Sequence, residues 1–94
     1  MRFWTYILRC NDGSYYTGSY RGTHIEDRIH QHDNGTYGGY TSKRRPVTLI
    51  WCEEFQSVKE AIRWERQIKG WSRAKKEALI KGDIDELKRL SNSS

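Results

Sequence analysis

The chain has 94 residues, a formal net charge of +5 and a sequence pI of about 9.4. This length favours one domain with a modest core, to which 4 Trp, 6 Tyr and 2 Phe contribute large side chains. The basic balance suits a polyanionic partner such as nucleic acid, although many soluble proteins are basic without one. The chain shows no signal peptide or membrane span, and its two cysteines lack metal or disulfide-framework spacing. We therefore expect a cytoplasmic protein without membrane association.

The first two strands are predicted to form a hairpin. Phe3–Cys10 and Ser14–Tyr20 are β-rich runs, and Asn11-Asp12-Gly13 between them is a turn signal. A two-residue turn would place Tyr6 and Tyr16 on opposite faces of the sheet, whereas a three-residue loop places them on the same face. We favour the three-residue loop because Gly13 stands where that loop needs a left-handed residue.

The later elements alternate helix, strand and helices. In chain order they are a helix from His24 to about Asn34-Gly35 with Thr23 and Glu26 as capping box, a loop over Thr36–Lys43, a strand over Val47–Phe55, a helix from Ser57 to about Lys69, a short helix from Ser72 to Ile80, a helix from Asp83 to about Leu90, and a frayed Ser91–Ser94. The order ββαβααα predicts an α/β fold with a small three-stranded antiparallel sheet flanked by helices. Residues 1–82 would form the body of a single domain, and residues 83–94 its C-terminal helix and tail.

Two polar residues interrupt the apolar stripe of the first helix. Arg28 and His32 share the i, i+3, i+4, i+7 positions with Ile25 and Ile29. In the simpler interpretation Arg28 reaches past the core to solvent and His32 interacts with the helix dipole. In the functional one, Arg28 grips a phosphate and His32 moves a proton or donates a hydrogen bond.

A carboxylate interrupts the apolar arc of the second helix. Glu65 lies near the centre of an arc that Val58, Ala61, Ile62 and Ile68 define. Burial of an unpaired carboxylate is costly. Glu65 is therefore either half of a buried ion pair, with Arg28 as one partner, or a ligand of a divalent cation such as Mg²⁺ or Mn²⁺.

Basic residues follow in two groups. Lys43 and Arg44 lie in a loop with Tyr40, and a second set follows Glu65 beside Trp71. Basic and aromatic side chains together suit a nucleic-acid backbone, although such charges are often merely solvated. The candidate substrate-binding residues are Gly18, Tyr40, Lys43, Arg44, Lys69, Arg73, Lys75 and Lys76.

Taken together, these features resemble the GIY-YIG endonuclease superfamily. More narrowly, the chain is similar to small single-domain bacterial members related to the N-terminal nuclease module of the UvrC excision-repair protein. The resemblance spans about Phe3 to Ile80. It rests on Thr5-Tyr6-Ile7-Leu8-Arg9-Cys10, Asp12-Gly13-Ser14, Tyr16-Thr17-Gly18, Arg44-Arg45-Pro46-Val47, Ile68-Lys69 and Ser72-Arg73-Ala74-Lys75-Lys76-Glu77-Ala78-Leu79-Ile80.

The resemblance implies a catalytic set and a metal ion. Tyr6, Tyr16, Arg28, His32 and Glu65 would be catalytic, with Glu65 also holding one Mg²⁺ or Mn²⁺. The chain departs from the family pattern where Trp4 and Thr5 replace the Gly and Ile of the first triplet, where Thr17 replaces the Ile of the second, and where a late Asn has no counterpart.

The activity implied by the resemblance is metal-dependent hydrolysis of nucleic-acid phosphodiesters, with DNA repair or processing as its setting. Which tyrosine acts as base stays open at this point. The alternatives are a nucleic-acid-binding module with weak or absent catalysis, and an accessory subunit of a nuclease complex. In the last case a protein partner supplies targeting, and an exposed patch at Trp64 or Trp71 would indicate it.

Overall fold

The computed structural model describes residues 2–36 and 38–91. Its strands are β1 (Phe3–Arg9), β2 (Tyr15–Arg21) and β3 (Thr48–Phe55), and its α-helices are α1 (Ile25–Asp33), α2 (Val58–Lys69), α3 (Arg73–Lys81) and α4 (Ile84–Ser91). A short 3₁₀-helix spans Gly39–Lys43. The predicted order ββαβααα, in a single α/β domain, is confirmed.

The sheet is antiparallel throughout, with strand order β2-β1-β3. The central strand β1 is the most apolar part of the chain, and its residues Thr5, Tyr6, Ile7 and Leu8 are fully buried. A shift in register between Ile7 and Leu8 interrupts its pairing with β3. Since successive side chains of β1 alternate between faces, helices must cover both faces of the sheet.

The hairpin has the predicted three-residue loop. Cys10 N–H donates to Ser14 O at 2.9 Å, and Gly13 N–H donates to Cys10 O at 2.9 Å. Gly13 has φ +85°, the left-handed conformation that glycine adopts without steric cost. In the resulting register Tyr6 is opposite Gly18, and Tyr16 is opposite Leu8. Tyr6 and Tyr16 therefore lie on one face of the sheet, one diagonal step apart.

The two faces of the sheet carry different cores. On the Tyr6 face, Leu8 and Cys10 pack with Ile25 from α1 and with Val47. On the opposite face, Thr5 Oγ1 donates to the Ala61 carbonyl of α2 at 2.7 Å. This bond satisfies a buried hydroxyl and fixes α2 across the strands.

Most of the helix starts follow the predicted caps. Ser57 and Ser72 each accept a hydrogen bond from the backbone N–H three residues later, at 3.2 Å, and Asp83 accepts one at 3.1 Å. The Thr23 capping box was wrong by one residue. The helix begins at Ile25 with His24 as N-cap, and the His24 side chain makes no capping bond to the described residues.

Smaller differences lie in the connections. The segment expected as a loop over Thr36–Lys43 contains the 3₁₀-helix, which Ser42 Oγ supports by donating to Gly39 O at 2.8 Å. Tyr37 of that segment, and Asn92–Ser94 of the tail expected to be frayed, lie outside the described residues. The longest described helix has 12 residues, and none combines the length and apolar character that a bilayer span requires.

Candidate active site

A chain of three buried polar side chains lies at the centre of the site. Tyr6 Oη and His32 Nε2 share a hydrogen bond of 2.8 Å, and His32 Nδ1 and Thr41 Oγ1 share one of 2.7 Å. Tyr6 and His32 are 0% exposed and Thr41 is 1% exposed. These two hydrogen bonds link β1, the end of α1 and the 3₁₀-helix. Thr41 gave no signal in the sequence, because a threonine in a Gly/Tyr/Ser-rich segment matches no helical or strand pattern.

Tyr16 lies between the buried Tyr6–His32 pair and the protein surface. Its ring centroid is 6.4 Å from that of Tyr6 and 5.1 Å from that of His32. It also stacks on Tyr40 at 6.0 Å. Tyr16 lines an open hollow of about 190 Å³ together with Thr17, Tyr40, Lys69 and Lys76. Of the two tyrosines, Tyr16 is therefore the one that a ligand can touch.

His32 is neutral at physiological pH. Burial, with a smaller contribution from the Arg28 guanidinium, lowers its pKa from 6.5 to about 4. A neutral imidazole has one donor and one acceptor nitrogen, which matches its two hydroxyl partners. His32 lies in the last turn of α1, as the simpler interpretation had it, but a neutral ring gains little from the helix dipole.

Arg28 lies beside the edge strand β2. Its guanidinium carbon is 4.7 Å from the centroid of the Tyr20 ring, and Nη1 donates to the Ser19 carbonyl at 3.4 Å. Arg28 lines a small hollow of about 90 Å³ with Ser19 and Tyr20 of β2 and with Ala61 and Ile62 of α2. The expected shared stripe is confirmed for Ile25 and His32, which are both buried.

Glu65 lies on α2, on the side that runs along β2. Its side chain is 17% exposed, and its Oε2 is 2.9 Å from Lys69 Nζ. Ala61, Glu65 and Lys69 follow one another at i, i+4 spacing on one side of the helix. Ala61 lines the Arg28 hollow and Lys69 lines the Tyr16 hollow. The Glu65 carboxylate therefore lies between these two hollows.

The structure bears on two expectations about this helix. Glu65 is half of an ion pair, as the simpler interpretation required, and the partner that the structure gives is Lys69. Val58, expected in the apolar arc, is 45% exposed because it is the first residue of α2. Ala61 and Ile68 are buried as predicted.

Gly18 has an internal reason to be glycine. A Cβ at this position would be 2.5 Å from Tyr6 Oη and 3.0 Å from a Tyr16 ring carbon. The missing side chain makes room for the Tyr6 phenol to reach His32 across the hairpin. Close approach of a substrate strand to Gly18 stays a prediction.

The structure separates the candidate basic residues. Lys69 and Lys76 share the Tyr16 hollow. Arg44 stacks over Tyr40 at 3.8 Å and pairs with Asp12 at 3.1 Å, so it braces the rim of the site. The other three line different depressions: Lys43 one with Asp33 and Pro46, Arg73 one with Arg9 and Tyr15, and Lys75 one with Trp71.

The described residues offer a limited set of metal ligands. None of their His, Cys, Asp and Glu side chains form a group of three that could hold a metal ion. Glu65 supplies one hard oxygen donor near two hollows that are each lined by cationic side chains. This fits a magnesium-type cation, which is commonly held by one or two carboxylates together with substrate phosphate and water.

Comparison with known proteins identifies the family of the chain. The model of the GIY-YIG catalytic domain matches residues 2–78. The chain belongs to the GIY-YIG family.

Its relatives within the family are UPF0213 proteins. The chain is 46% identical over 79 residues to UPF0213 protein SSP2268 of Staphylococcus saprophyticus, a match covering 84% of this chain and 94% of that protein. It is 47% identical over 75 residues to UPF0213 protein VNG_2274C of Halobacterium salinarum, covering 80% and 95%.

Two solved structures share the fold. The solution NMR structure of UPF0213 protein BH0048 from Bacillus halodurans has a TM-score of 0.55 and 43% identity, covering 86% of this chain and 84% of that one. The solution NMR structure of EF2693 from E. faecalis has a TM-score of 0.59 and 37% identity, covering 89% and 88%. Both identities are high enough to support the fold assignment.

We predict that Gly18→Ala destabilises the protein through Tyr6. The added methyl would be 2.5 Å from Tyr6 Oη, so the ring must move and its bond to His32 must lengthen. We expect urea denaturation to show a loss of roughly 1–3 kcal/mol in the free energy of unfolding. Gly70→Ala is the control, because its Cβ would approach only Gln67 O, at 3.6 Å. Equal losses in both variants would contradict this explanation.

We also predict that His32 makes stability depend on acid pH. The pKa of His32 is about 4 in the folded protein, against 6.5 ordinarily. Between these values the unfolded chain binds more protons, so the free energy of unfolding falls as pH drops from about 6.5 to about 4. The full effect is about 3 kcal/mol.

Urea denaturation across this pH range measures the effect, and NMR titration of the His32 ring gives its pKa directly. His32→Gln should flatten the slope. His30→Gln, an exposed change on the same helix, should not. An imidazole that titrates near 6.5 in the folded protein would refute the assignment.

Proposed function

We propose that the chain is a metal-dependent endonuclease that hydrolyses nucleic-acid phosphodiester bonds. The observation that carries the proposal is the Tyr6–His32–Tyr16 cluster, which reaches the surface through Tyr16 beside Lys69 and Lys76. Membership of the GIY-YIG family supports nucleic acid as the partner. The basic net charge of +5 supports it as well.

Tyr16 is the proposed base. The ordinary pKa of a phenol is near 10, so the phenolate must be favoured by nearby positive charge. Lys69 and Lys76 line the same hollow as Tyr16 and provide that charge. Tyr16 takes a proton from the attacking water, the water oxygen bonds to phosphorus, and the bond to the leaving oxygen breaks. The leaving oxygen takes its proton from solvent.

Tyr6 and His32 act as positioning residues in this proposal. Both are fully buried, so neither touches the substrate. The neutral His32 holds the Tyr6 hydroxyl through Nε2 and is itself held by Thr41. Because the Tyr16 ring packs against His32, a fixed His32 also fixes the orientation of Tyr16. A Tyr16 ring held in one orientation keeps its hydroxyl in position for the reaction.

Arg28 and Glu65 are proposed to act on the phosphate. Arg28, at the β2 edge, stabilises negative charge that develops on the phosphate oxygens. Glu65 holds one Mg²⁺ or Mn²⁺, which when bound acts as a Lewis acid toward the phosphate. Lys69 must then release the Glu65 carboxylate. The Lys69 side chain is 51% exposed, so its ammonium group can turn to solvent when the cation binds.

A binding module without catalysis is the second candidate. The observation in its favour is that the carboxylate proposed to hold the metal is already paired with Lys69. Such a module binds DNA with a steep salt dependence and cleaves no substrate. DNA repair as the cellular setting, and a cytoplasmic location, stay proposals under either function.

We predict that Glu65→Gln abolishes nicking of supercoiled plasmid in Mg²⁺ or Mn²⁺. The substitution keeps the size of the side chain but removes the charge that holds the cation. Metal assistance contributes several kcal/mol to such reactions, so the rate should fall by more than about 100-fold.

Glu60→Gln is the control for this test. Glu60 is exposed on the same helix, so nicking and Mn²⁺ binding in calorimetry should match wild type. Unchanged nicking in Glu65→Gln would remove Glu65 from the mechanism. Salt-dependent DNA binding with no cleavage by wild type on single-stranded, duplex, flap or junction substrates would favour the binding module.

We predict that substitutions at the two tyrosines have different effects, one on catalytic activity and the other on stability. Tyr16→Phe removes the proposed base and should lower the nicking rate by about 100-fold or more, with little change in unfolding. Tyr6→Phe removes the buried hydrogen bond to His32 and should cost roughly 1–3 kcal/mol of stability. Urea denaturation and plasmid nicking on both variants measure this. The reverse pattern, with Tyr16→Phe active and Tyr6→Phe inactive, would make Tyr6 the base.

A further inference from the structure

The three C-terminal helices enclose an open groove of about 740 Å³, here called the C-terminal groove. It shares no lining residue with the hollows of Tyr16 and Arg28, among the residues that the structure describes. Its surface is therefore separate from the proposed catalytic site. Its apolar lining consists of Trp64, Trp71, Leu79, Ile84 and Leu87.

One wall of the groove is α4, a helix with a well-formed N-terminal cap but with no buried residue. Asp83 caps α4 by accepting from Glu86 N–H at 3.1 Å, and Asp83 N–H donates to Ala78 O at 2.9 Å. Yet none of residues 84–91 is buried, and Ile84 is 54% exposed. An amphipathic helix whose apolar face is left open indicates a surface that another molecule covers.

The groove extends beyond the shared catalytic domain. The GIY-YIG model matches residues 2–78, whereas α4 begins at Ile84. Leu79, Ile84 and Leu87 therefore lie outside the matched region. The groove therefore combines residues of the matched domain with a wall that lies outside the match.

The charges of the groove indicate the chemistry of its occupant. Both charged residues in its lining, Lys75 and Lys88, are cations. The chain as a whole carries +5. A second copy packed groove to groove would bring these lysines together, which is unfavourable. An acidic occupant complements them.

The lining also favours a polypeptide over a nucleic acid. Bases bind such surfaces by stacking on open aromatic faces, but Lys75 Nζ lies 4.3 Å from the centroid of Trp71 and covers one face of that ring. Leu79, Ile84 and Leu87 offer neither stacking nor hydrogen bonds. On α4, Ile84, Leu87, Lys88 and Ser91 follow the i, i+3, i+4, i+7 spacing of a face that packs along a second helix.

We propose that the C-terminal groove binds an acidic amphipathic helix of a partner protein. Its apolar side chains fill the space between Trp64, Trp71 and the α4 face, and its carboxylates meet Lys75 and Lys88. The partner is thereby held on the helical side of the domain, and the hollows along β2 stay open. Binding here does not require nuclease activity.

Two synthetic peptides of about 15 residues test the proposal. Both carry Leu at i, i+3 and i+7, one with Glu at the other positions and one with Lys. Each is titrated into the ¹⁵N-labelled full chain. We expect saturable binding of the acidic peptide with Kd below about 1 mM, at least tenfold tighter than the basic peptide. The NMR shift changes should fall within residues 64–91.

Matched variants then locate the binding. Ile84→Asp should weaken binding of the acidic peptide at least tenfold. Val58→Asp is its control, because Val58 is likewise the first residue of a helix and is 45% exposed, but lies outside the groove. The double change Lys75→Glu and Lys88→Glu should reverse the preference between the peptides. Plasmid nicking by Ile84→Asp should equal wild type, because Ile84 lies outside the hollows of Tyr16 and Arg28. Peptide binding is measured without nicking, so the groove proposal can be tested even if the nuclease proposal fails.

Three outcomes would overturn the proposal. The first is equal binding, or no saturable binding, of the two peptides. The second is tighter binding of a single-stranded oligonucleotide that Ile84→Asp removes, which would make the groove a nucleic-acid site. The third is a concentration-dependent dimer that Ile84→Asp dissociates, since the occupant would then be a second copy.

Discussion

The buried hydrogen bond between Tyr6 and His32 is the constraint on which the rest of the site depends. It joins the central strand to the end of α1 at a point from which water is excluded. Both groups would be costly to bury without a partner. The bond therefore fixes the distance between β1 and α1, and with it the packing of the Tyr16 ring against His32. Gly18 is the condition for this bond, because any Cβ there would occupy the position of the phenol.

Charge is distributed so that the interior is neutral and the edge of β2 is cationic. Burial and Arg28 keep His32 uncharged, while Lys69 and Lys76 remain beside the exposed part of Tyr16. The Glu65 carboxylate, which lies between the hollows, is balanced by Lys69. An approaching phosphate would meet positive charge on both sides of this carboxylate. This arrangement suits an anionic substrate whose binding brings its own cation.

The helices on the other side of the domain have a different physical character. Along β2 the hollows combine cationic side chains with aromatic rings, whereas the C-terminal groove is mainly apolar with two lysines in its lining. The α2 helix contributes to both, since Glu65 faces β2 and the adjacent Trp64 lines the groove. Because neighbouring helical residues point about 100° apart, one helix can serve two surfaces without sharing side chains between them.

Local sequence patterns determined much of this protein. The turn at Gly13, the caps at Ser57, Ser72 and Asp83, and the order of strands and helices were all predictable, because each depends on residues close together in the chain. The Thr23 cap was misplaced by one residue because His24, whose side chain makes no capping bond to the described residues, occupies the N-cap position. The unusual positions of His32 and Glu65 could also be read from helical periodicity. Periodicity also places Lys69 one turn after Glu65, but it does not give Tyr6 and Thr41 as the partners of His32.

Only the tertiary structure decided that Thr41 holds His32 and that Tyr16 rather than Tyr6 faces solvent. It also decided that Gly18 is glycine because of Tyr6. Each of these depends on how side chains of different elements pack against one another. Periodicity assigns a residue to a face, but the packing of one element on another selects the atom that it meets.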